Sequence, residues 1–339
     1  MNKVHLFTYA KLSERAAAPH FLTILFMLMV VFCLAGGSAF AKGDNGKEQG
    51  TGFCAKTAKA AFKACQHEVQ DDYWISIGNC NNLSDGHKDC GQEANLLLKE
   101  GKKECGDQRA GRLEVCGAIG EAPYNPQIEP SMFVDPAAIG KTVTVNQYFP
   151  LIRGRTWVYK GGTETITVTV TDDTKVILGV TCAVVHDVVQ DNGVVIEDTK
   201  DWYAQDIQGN VWYLGEISQD FDNGELAGIE GSWMAGVESK AGFIMKAAPA
   251  VGDVYRQEFS LGNAEDMAEV LSLTGSDTVL AATCTDNCLI TKDFTPITPD
   301  AVEHKYYAPG IGLILEVDPE TGDRVELVDI KDLCYAKHN

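Results

Sequence analysis

The residues of this chain that could do chemistry gather on one candidate hairpin. Asn192-Gly193 is the pair that a two-residue type I′ turn demands. Counting back from that turn pairs Asp191 with Val194, Val188 with Glu197, His186 with Thr199 and Val184 with Asp201. Side chains alternate along a strand, so this register gives His186 one face with Thr199 directly opposite and Glu197 and Asp201 on the diagonals. An imidazole bracketed by carboxylates can relay a proton or supply part of a metal site, which is the chemistry of a hydrolase or a metal-dependent enzyme. The same pattern also reads as an ordinary solvated hairpin face, with Val185, Val189, Ile196 and Trp202 turned inward. In that register Asp187 and Asp198 oppose one another on the inward face, where diagonal Lys200 could relieve the repulsion. No second histidine lies at ligand spacing.

Other templates fail. The chain has no GxSxG elbow, no HExxH pair and no P-loop, and Gly310-Ile311-Gly312 sits in a strand-rich tail with no helix after it. Acidic stretches at Asp206–Asn210, Asp220–Glu225 and Asp318–Asp323 invite a calcium reading. None fits an EF-hand loop, because glycine at its required place leaves Gln219 and Phe221 where carboxylates must stand. They read better as turns, with Pro319 and Gly322 where a tight turn tolerates them. No cofactor is expected.

The cysteines carry the clearest pattern. Cys54, Cys65, Cys80, Cys90, Cys105 and Cys116 are separated by steps of 11, 15, 10, 15 and 11, which read the same in both directions. Eleven residues turn an α-helix by about 1100°, roughly 20° past three full turns, so cysteines one such step apart point the same way. Two antiparallel helices then nest the pairs as Cys54 with Cys116, Cys65 with Cys105 and Cys80 with Cys90. Absence of any CxxC spacing argues against zinc and against haem attachment. Farther on, Cys284 and Cys288 can close a short loop, which leaves Cys182 for Cys334.

The elements that position these residues follow from composition. Lys3, Lys11 and Arg15 precede an uncharged apolar run from Phe21 to Leu34, and Ala39-Phe40-Ala41 follows as a small-x-small triplet. That run is too short to span a bilayer and reads as an export signal cleaved after Ala41. Cys33 lacks the small residues that a lipid-bearing cysteine needs before it. With 48 acidic against 28 basic residues, the chain has a formal charge of −20 and would repel a phosphate backbone, so nucleic acid is excluded as a partner. An oxidising destination, periplasmic or extracellular, makes disulfides the default state of the cysteines.

Residues 42–120 are the cysteine-rich helical hairpin, and 121–145 form a proline-rich linker. Tyr73, Trp74, Ile75 and Ile77 fall near the hairpin's tip, and Leu96, Leu97 and Leu98 on its return helix. Residues 146–339 are rich in Val, Thr, Tyr and Trp broken by Asn-Gly and Gly-Asn, the texture of antiparallel strands, with one short helix expected around Ala264–Leu271. The fold class is therefore α+β: a disulfide-linked α-helical hairpin plus a mainly antiparallel β meander that curls into a barrel or half-barrel to protect its edges.

Three segments of the β domain resemble a group of uncharacterised exported bacterial proteins. They are Tyr148-Phe149-Pro150-Leu151-Ile152-Arg153-Gly154-Arg155-Thr156-Trp157-Val158-Tyr159, then Asp201-Trp202-Tyr203-Ala204-Gln205-Asp206 with Gly209-Asn210-Val211-Trp212-Tyr213, then Lys305-Tyr306-Tyr307-Ala308-Pro309-Gly310-Ile311-Gly312-Leu313. The resemblance covers residues 146–317 and leaves out the cysteine hairpin. Where that group often has Pro-Ala-Gly-Thr-Phe, this chain has Ala281-Ala282-Thr283-Cys284-Thr285. The resemblance implies an exported class, with no catalytic residue attached to it.

The functional expectation is a non-enzymatic binding or envelope-associated protein with a small-molecule or protein partner and no stable membrane span after signal cleavage. Its contact surface would be the concave side of the sheet or the aromatic side chains Trp157, Trp202, Trp212 and Trp233, which could equally be core. An enzyme using His186, Glu197 and Asp201, and an extracellular assembly or adhesion role for the hairpin, are the alternatives.

Overall fold

A computed structural model describes residues 52–83 and 90–332; the apolar amino-terminal segment, Cys33 and Cys334 lie outside them. Two helices come first, α1 (Phe53–Asn81) and α2 (Cys90–Ile119). They run antiparallel and are joined as Cys54–Cys116, Cys65–Cys105 and Cys80–Cys90, the nested order that the mirrored spacing predicts. Close approach is possible because the facing residues are small. Ala55, Ala58, Ala61 and Ala94 are buried between the helices, and a Cβ at Gly101 would run into Val69. Gly52 gives α1 no side-chain cap, so its first turn is capped from the far end of the hairpin: the Glu121 carbonyl accepts from Phe53 N (3.0 Å), and Glu121 Oε2 accepts from Ala55 N (3.0 Å).

Fifteen strands follow: β1 (Thr156–Gly161), β2 (Glu164–Ile177), β3 (Val180–Asp191), β4 (Val194–Gln205), β5 (Val211–Asp222), β6 (Glu225–Gly228), β7 (Trp233–Met234), β8 (Lys240–Met245), β9 (Val254–Arg256), β10 (Glu258–Phe259), β11 (Met267–Val279), β12 (Ala282–Phe294), β13 (Val302–Ala308), β14 (Gly312–Val317) and β15 (Arg324–Lys331). They form one antiparallel sheet in the order β10-β8-β5-β4-β3-β2-β1-β15-β14-β13-β12-β11-β9, with β6 and β7 also on β5. The runs β1 to β5 and β11 to β15 each pair in sequence order, as a meander does, and β1 with β15 joins the two runs. The two ends of the sheet belong to one stretch of chain. Only Gln257 separates β9, which pairs with β11, from β10, which pairs with β8. Residues 254–259 therefore draw the sheet into a nearly closed barrel. Gly242 on β8 permits the crossing, since a Cβ there would meet the carbonyl oxygens of Arg256 and Gln257.

The region Ala264–Leu271, expected as a short helix, is instead an extended segment, with Ala264 bridged to Ser260 and β11 beginning at Met267. Met267 pairs with Arg256 on one side and with Phe294 on the other, so ladder hydrogen bonds on both edges override the local helix preference of Ala, Glu and Met. The proline-rich segment is pinned to the barrel by Val134 N to Gln205 O (3.0 Å) and by Tyr124 Oη to Ala241 O (2.9 Å). Arg112 of α2 reaches Glu265 beside β11, with Nη2 2.7 Å from Oε1 and both groups buried. The arm is thus fastened at its base.

Among the described residues no helix is long and apolar enough to cross a membrane. Cys284 and Cys288 form a fourth disulfide, and Cys182 is a buried free thiol; the partner assigned to it, Cys334, lies outside the described residues.

Candidate functional site

The hairpin carrying His186 turns where expected but does not keep the expected register. Asn192 and Gly193 both adopt positive φ (49° and 81°), and Asp191 pairs with Val194. One pair later the strand bulges at Ile196: Gln190 pairs with Val195, but Val189 pairs with Glu197. One extra residue on β4 flips every later side chain to the other face. The expected pairings of Val188 with Glu197, His186 with Thr199 and Val184 with Asp201 are therefore corrected. Asp187 lies opposite Thr199, His186 opposite Lys200 and Val185 opposite Asp201.

His186 and the two carboxylates part company as a result. His186 stays on the outer face, half-buried, with Nε2 2.9 Å from Asp198 Oδ1. Glu197 and Asp201 point into the barrel. Ile196 and Trp202 are only half-buried, whereas Val185 and Val189 are buried as expected. Asp187 and Asp198 do not oppose one another, since Asp198 lies opposite Val188. Four tryptophans were candidates for a contact surface. Trp157 and Trp233 are core, Trp212 packs on Phe243 and donates to Asp206 Oδ2 (3.0 Å), and Trp202 lies under Lys175.

The inward half of β3, β4 and β5 is the notable polar site of the molecule. Asp187, Glu197, Asp201, Glu216 and, from β10, Glu258 are all buried, with Asp201 fully so. Asp201 pairs with Glu216 across β4 and β5, and the Tyr213 hydroxyl lies between them, 2.6 Å from Asp201 Oδ1 and 2.8 Å from Glu216 Oε2. A phenol has one hydrogen to donate, so with carboxyl oxygens on both sides one of the two acids must itself be protonated and donate to Tyr213. Tyr203 stacks on Tyr213 with ring centres 4.6 Å apart, which fixes the phenol. Thr199 Oγ1 bridges Glu197 Oε1 and Ser218 Oγ, each at 2.9 Å. Among the described residues Asp187 Oδ1 has no hydrogen-bond partner.

Electrostatics agree with the proton count. Burial, then neighbouring carboxylates, pushes Asp187, Glu216 and Glu258 well above the usual carboxylate range. Asp201 is pushed up to about 7, by burial first, against the hydrogen bond from Tyr213 that holds it down. Asp187, Asp201, Glu216 and Glu258 make no ion pair among the described residues.

A neighbouring interior group is built differently. Lys305 of β13 lies 3.3 Å from Glu316, 3.4 Å from Asp293 and 3.7 Å from Glu303. Thr291 and Gln257 donate to Asp293 at 2.6 and 3.1 Å. Burial alone would lower the Lys305 pKa, yet Glu316, Asp293 and Glu303 outweigh it and hold the ammonium charged. Among the described residues no three His, Cys, Asp or Glu side chains converge to hold a metal ion. The acidic stretches once read for calcium are turns: Asp206 Oδ1 accepts from Gln208 N and Asn210 N, and Asp318 Oδ1 from Glu320 N and Thr321 N. Asn223 and Gly224 take the positive φ of a hairpin turn.

An apolar cavity of about 30 Å³, lined by Phe149, Trp157, Tyr159, Val170 and Leu313 among others, is room for about one water. The interior acids can store or pass a proton. Sequence reasoning missed Asp187, Glu216, Glu258 and Tyr213 as members of one site. The available signal was the alternation Glu197, Thr199, Asp201, Tyr203, a polar stripe at strand period that ends in an aromatic. Compared with protein-family models, with curated proteins and with solved structures, the chain matches none.

Proposed function

We propose that this chain is an exported, non-enzymatic binding protein of the cell envelope or the space beyond it, in which the barrel is the platform and the helical arm makes the contact. One observation carries the reading. On the arm, Trp74, Ile75, Leu96 and Leu97 are each about half exposed or more, although each costs free energy in water. A helix of 29 residues is about 43 Å long at 1.5 Å per residue, so these side chains stand well away from the base at Arg112. The disulfides support an oxidising location, and so does the resemblance of residues 146–317 to exported bacterial proteins.

A photo-crosslinking amino acid at position 74 of the full chain, in its native host, tests the reading, with position 160 on the barrel as control. A discrete adduct with another protein at 74 and none at 160 is the expected result. An adduct of twice the chain mass converts the arm into a self-assembly module, and no adduct at 74 sinks the proposal.

A further inference from the structure

The five interior acids raise a question that the proposed contact surface does not touch: what keeps a barrel closed around so much latent negative charge. The Tyr213 geometry answers for part of it, because two carboxyl groups flanking one phenol hydroxyl require a shared proton. Glu258 completes the group from the weakest part of the wall. Strand β10 is two residues long, and its ladder to β8 consists of the pairs Glu258 with Ala241 and Phe259 with Lys240, continued by Ser239 Oγ to Ser260 Oγ at 3.0 Å. The side chain of Glu258 is buried and faces Glu216 and Asp201 from β5 and β4 and Asp266 from the loop before β11. Around it stand Tyr203 and Tyr213; Asp187 and Glu197 complete the acids of β3 and β4, and Tyr159 and Glu316 flank Asp187 from β1 and β14. Lys305 belongs to the adjoining group with Asp293 and Glu303.

The same segment also carries the base of the arm. Arg256 stacks over Tyr124 and Phe259, Tyr124 donates to Ala241 O on β8, and Arg112 of α2 is paired with Glu265, six residues beyond Phe259. We infer that residues 254–259 form a pH-operated seam in the barrel wall: the seam stays paired while the interior acids hold their protons, and it parts from β8 as they ionise, loosening the arm at its base. Repulsion between Glu258 and Glu216, both ionised in a low-dielectric interior, supplies the force, and a two-residue ladder is the least able to resist it. The direction follows from burial, which raises the carboxyl groups of Glu216 and Glu258 far above their ordinary range.

Hydrogen exchange of the full chain, expressed as protection factors so that the intrinsic pH dependence cancels, tests the seam at about pH 5 and about pH 8.5. Protection over 254–259 and 240–245 is expected to fall at least about tenfold at the higher pH while 302–317 keeps its protection. Glu258→Gln, which cannot ionise, is expected to abolish the fall, and Glu216→Gln to reduce it. Unchanged protection in the natural sequence, a fall spread evenly over 302–317 as well, or a fall that survives both substitutions would each overturn the inference.

Discussion

The arm and the barrel hold themselves together by opposite means. Between α1 and α2 lie mainly alanines, cysteines and Gly101 against Val69, and Trp74, Ile75, Leu96 and Leu97 of the distal half face water. Alanine buries too little area to hold two 30-residue helices by itself, so three covalent ties stand in for the missing core. The barrel does the reverse. Ile166, Leu214, Leu289, Ile314, Leu315 and Leu327 are almost completely buried, and this apolar interior is large enough to tolerate a set of acids that no short hairpin could shelter. An arm that owes its shape to sulfur chemistry is free to expose apolar groups, and a barrel that owes its shape to burial is free to enclose charge.

The sharpest way to break this comparison is reduction. With the disulfides reduced in the full chain, α1 and α2 are expected to lose most of their helical circular dichroism, while the near-ultraviolet signal of Tyr203, Tyr213 and Trp233 in the barrel persists. Each tie is worth about 2–4 kcal/mol. Loss of both signals together would show that the arm is part of the barrel's cooperative unit.

Next in size is the joint between the two regions. Arg112→Met strands Glu265 as a buried, uncompensated carboxylate and is expected to cost about 3–5 kcal/mol by denaturant unfolding, whereas the double change Arg112→Met with Glu265→Leu restores most of it. A single change of less than about 1 kcal/mol would mean that the base of the arm is open to water.

Within the barrel the two interior groups can be set against each other by pH. Asp201 has a folded pKa of about 7 against an ordinary value of 3.8, so between those values the folded chain keeps a proton that the unfolded chain has released. Stability is therefore full below about pH 4 and declines as pH rises through about 7. For this one group the loss is on the order of 4 kcal/mol. Asp201→Asn is expected to flatten that slope and to be more stable than the natural sequence at about pH 8. Asp293, which faces Lys305 and accepts from Thr291 and Gln257, gives the contrast: Asp293→Asn removes a partner of a charged ammonium and is expected to lower stability at the same pH. Equal slopes in Asp201→Asn and the natural chain would remove Asp201 from the pH response.

Much of this architecture was legible in the sequence, for reasons that differ by region. The disulfide order could be read because helical geometry makes an 11-residue step return to the same face, so the mirrored spacing carries three-dimensional information. Barrel character could be read from strand composition and turns. The interior acids could not. The facing of Glu197 and Asp201 depends on the bulge at Ile196, and a Val-Val-Ile run after Asn-Gly offers no residue that marks an extra position. Nor does local sequence show that Ala264–Leu271 will be held between β9 and β12, a tertiary pairing that outweighs propensity. Glu258 lies 42 residues from Glu216 in the chain, and only closure of the barrel brings them face to face.

The smallest expected effect separates the hairpin's two faces. His186→Ala removes the contact to Asp198, but each partner is about one-third exposed, so water replaces what the imidazole gave up and no buried charge is stranded. Stability is expected to change by no more than about 0.5 kcal/mol, measured as the urea midpoint at constant slope. Asp187, the adjacent residue, lies on the other side of the sheet, where its unpartnered oxygen is already costly; Asp187→Asn is expected to stabilise the chain at about pH 8 by removing an ionisation that burial opposes. Neighbours in sequence with different responses follow from the alternation of side chains along β3, and the bulge on β4 is what brings Asp198 to the outer face beside His186. A large loss from His186→Ala together with a neutral Asp187→Asn would mean that β3 turns its His186 face, and not its Asp187 face, to the interior.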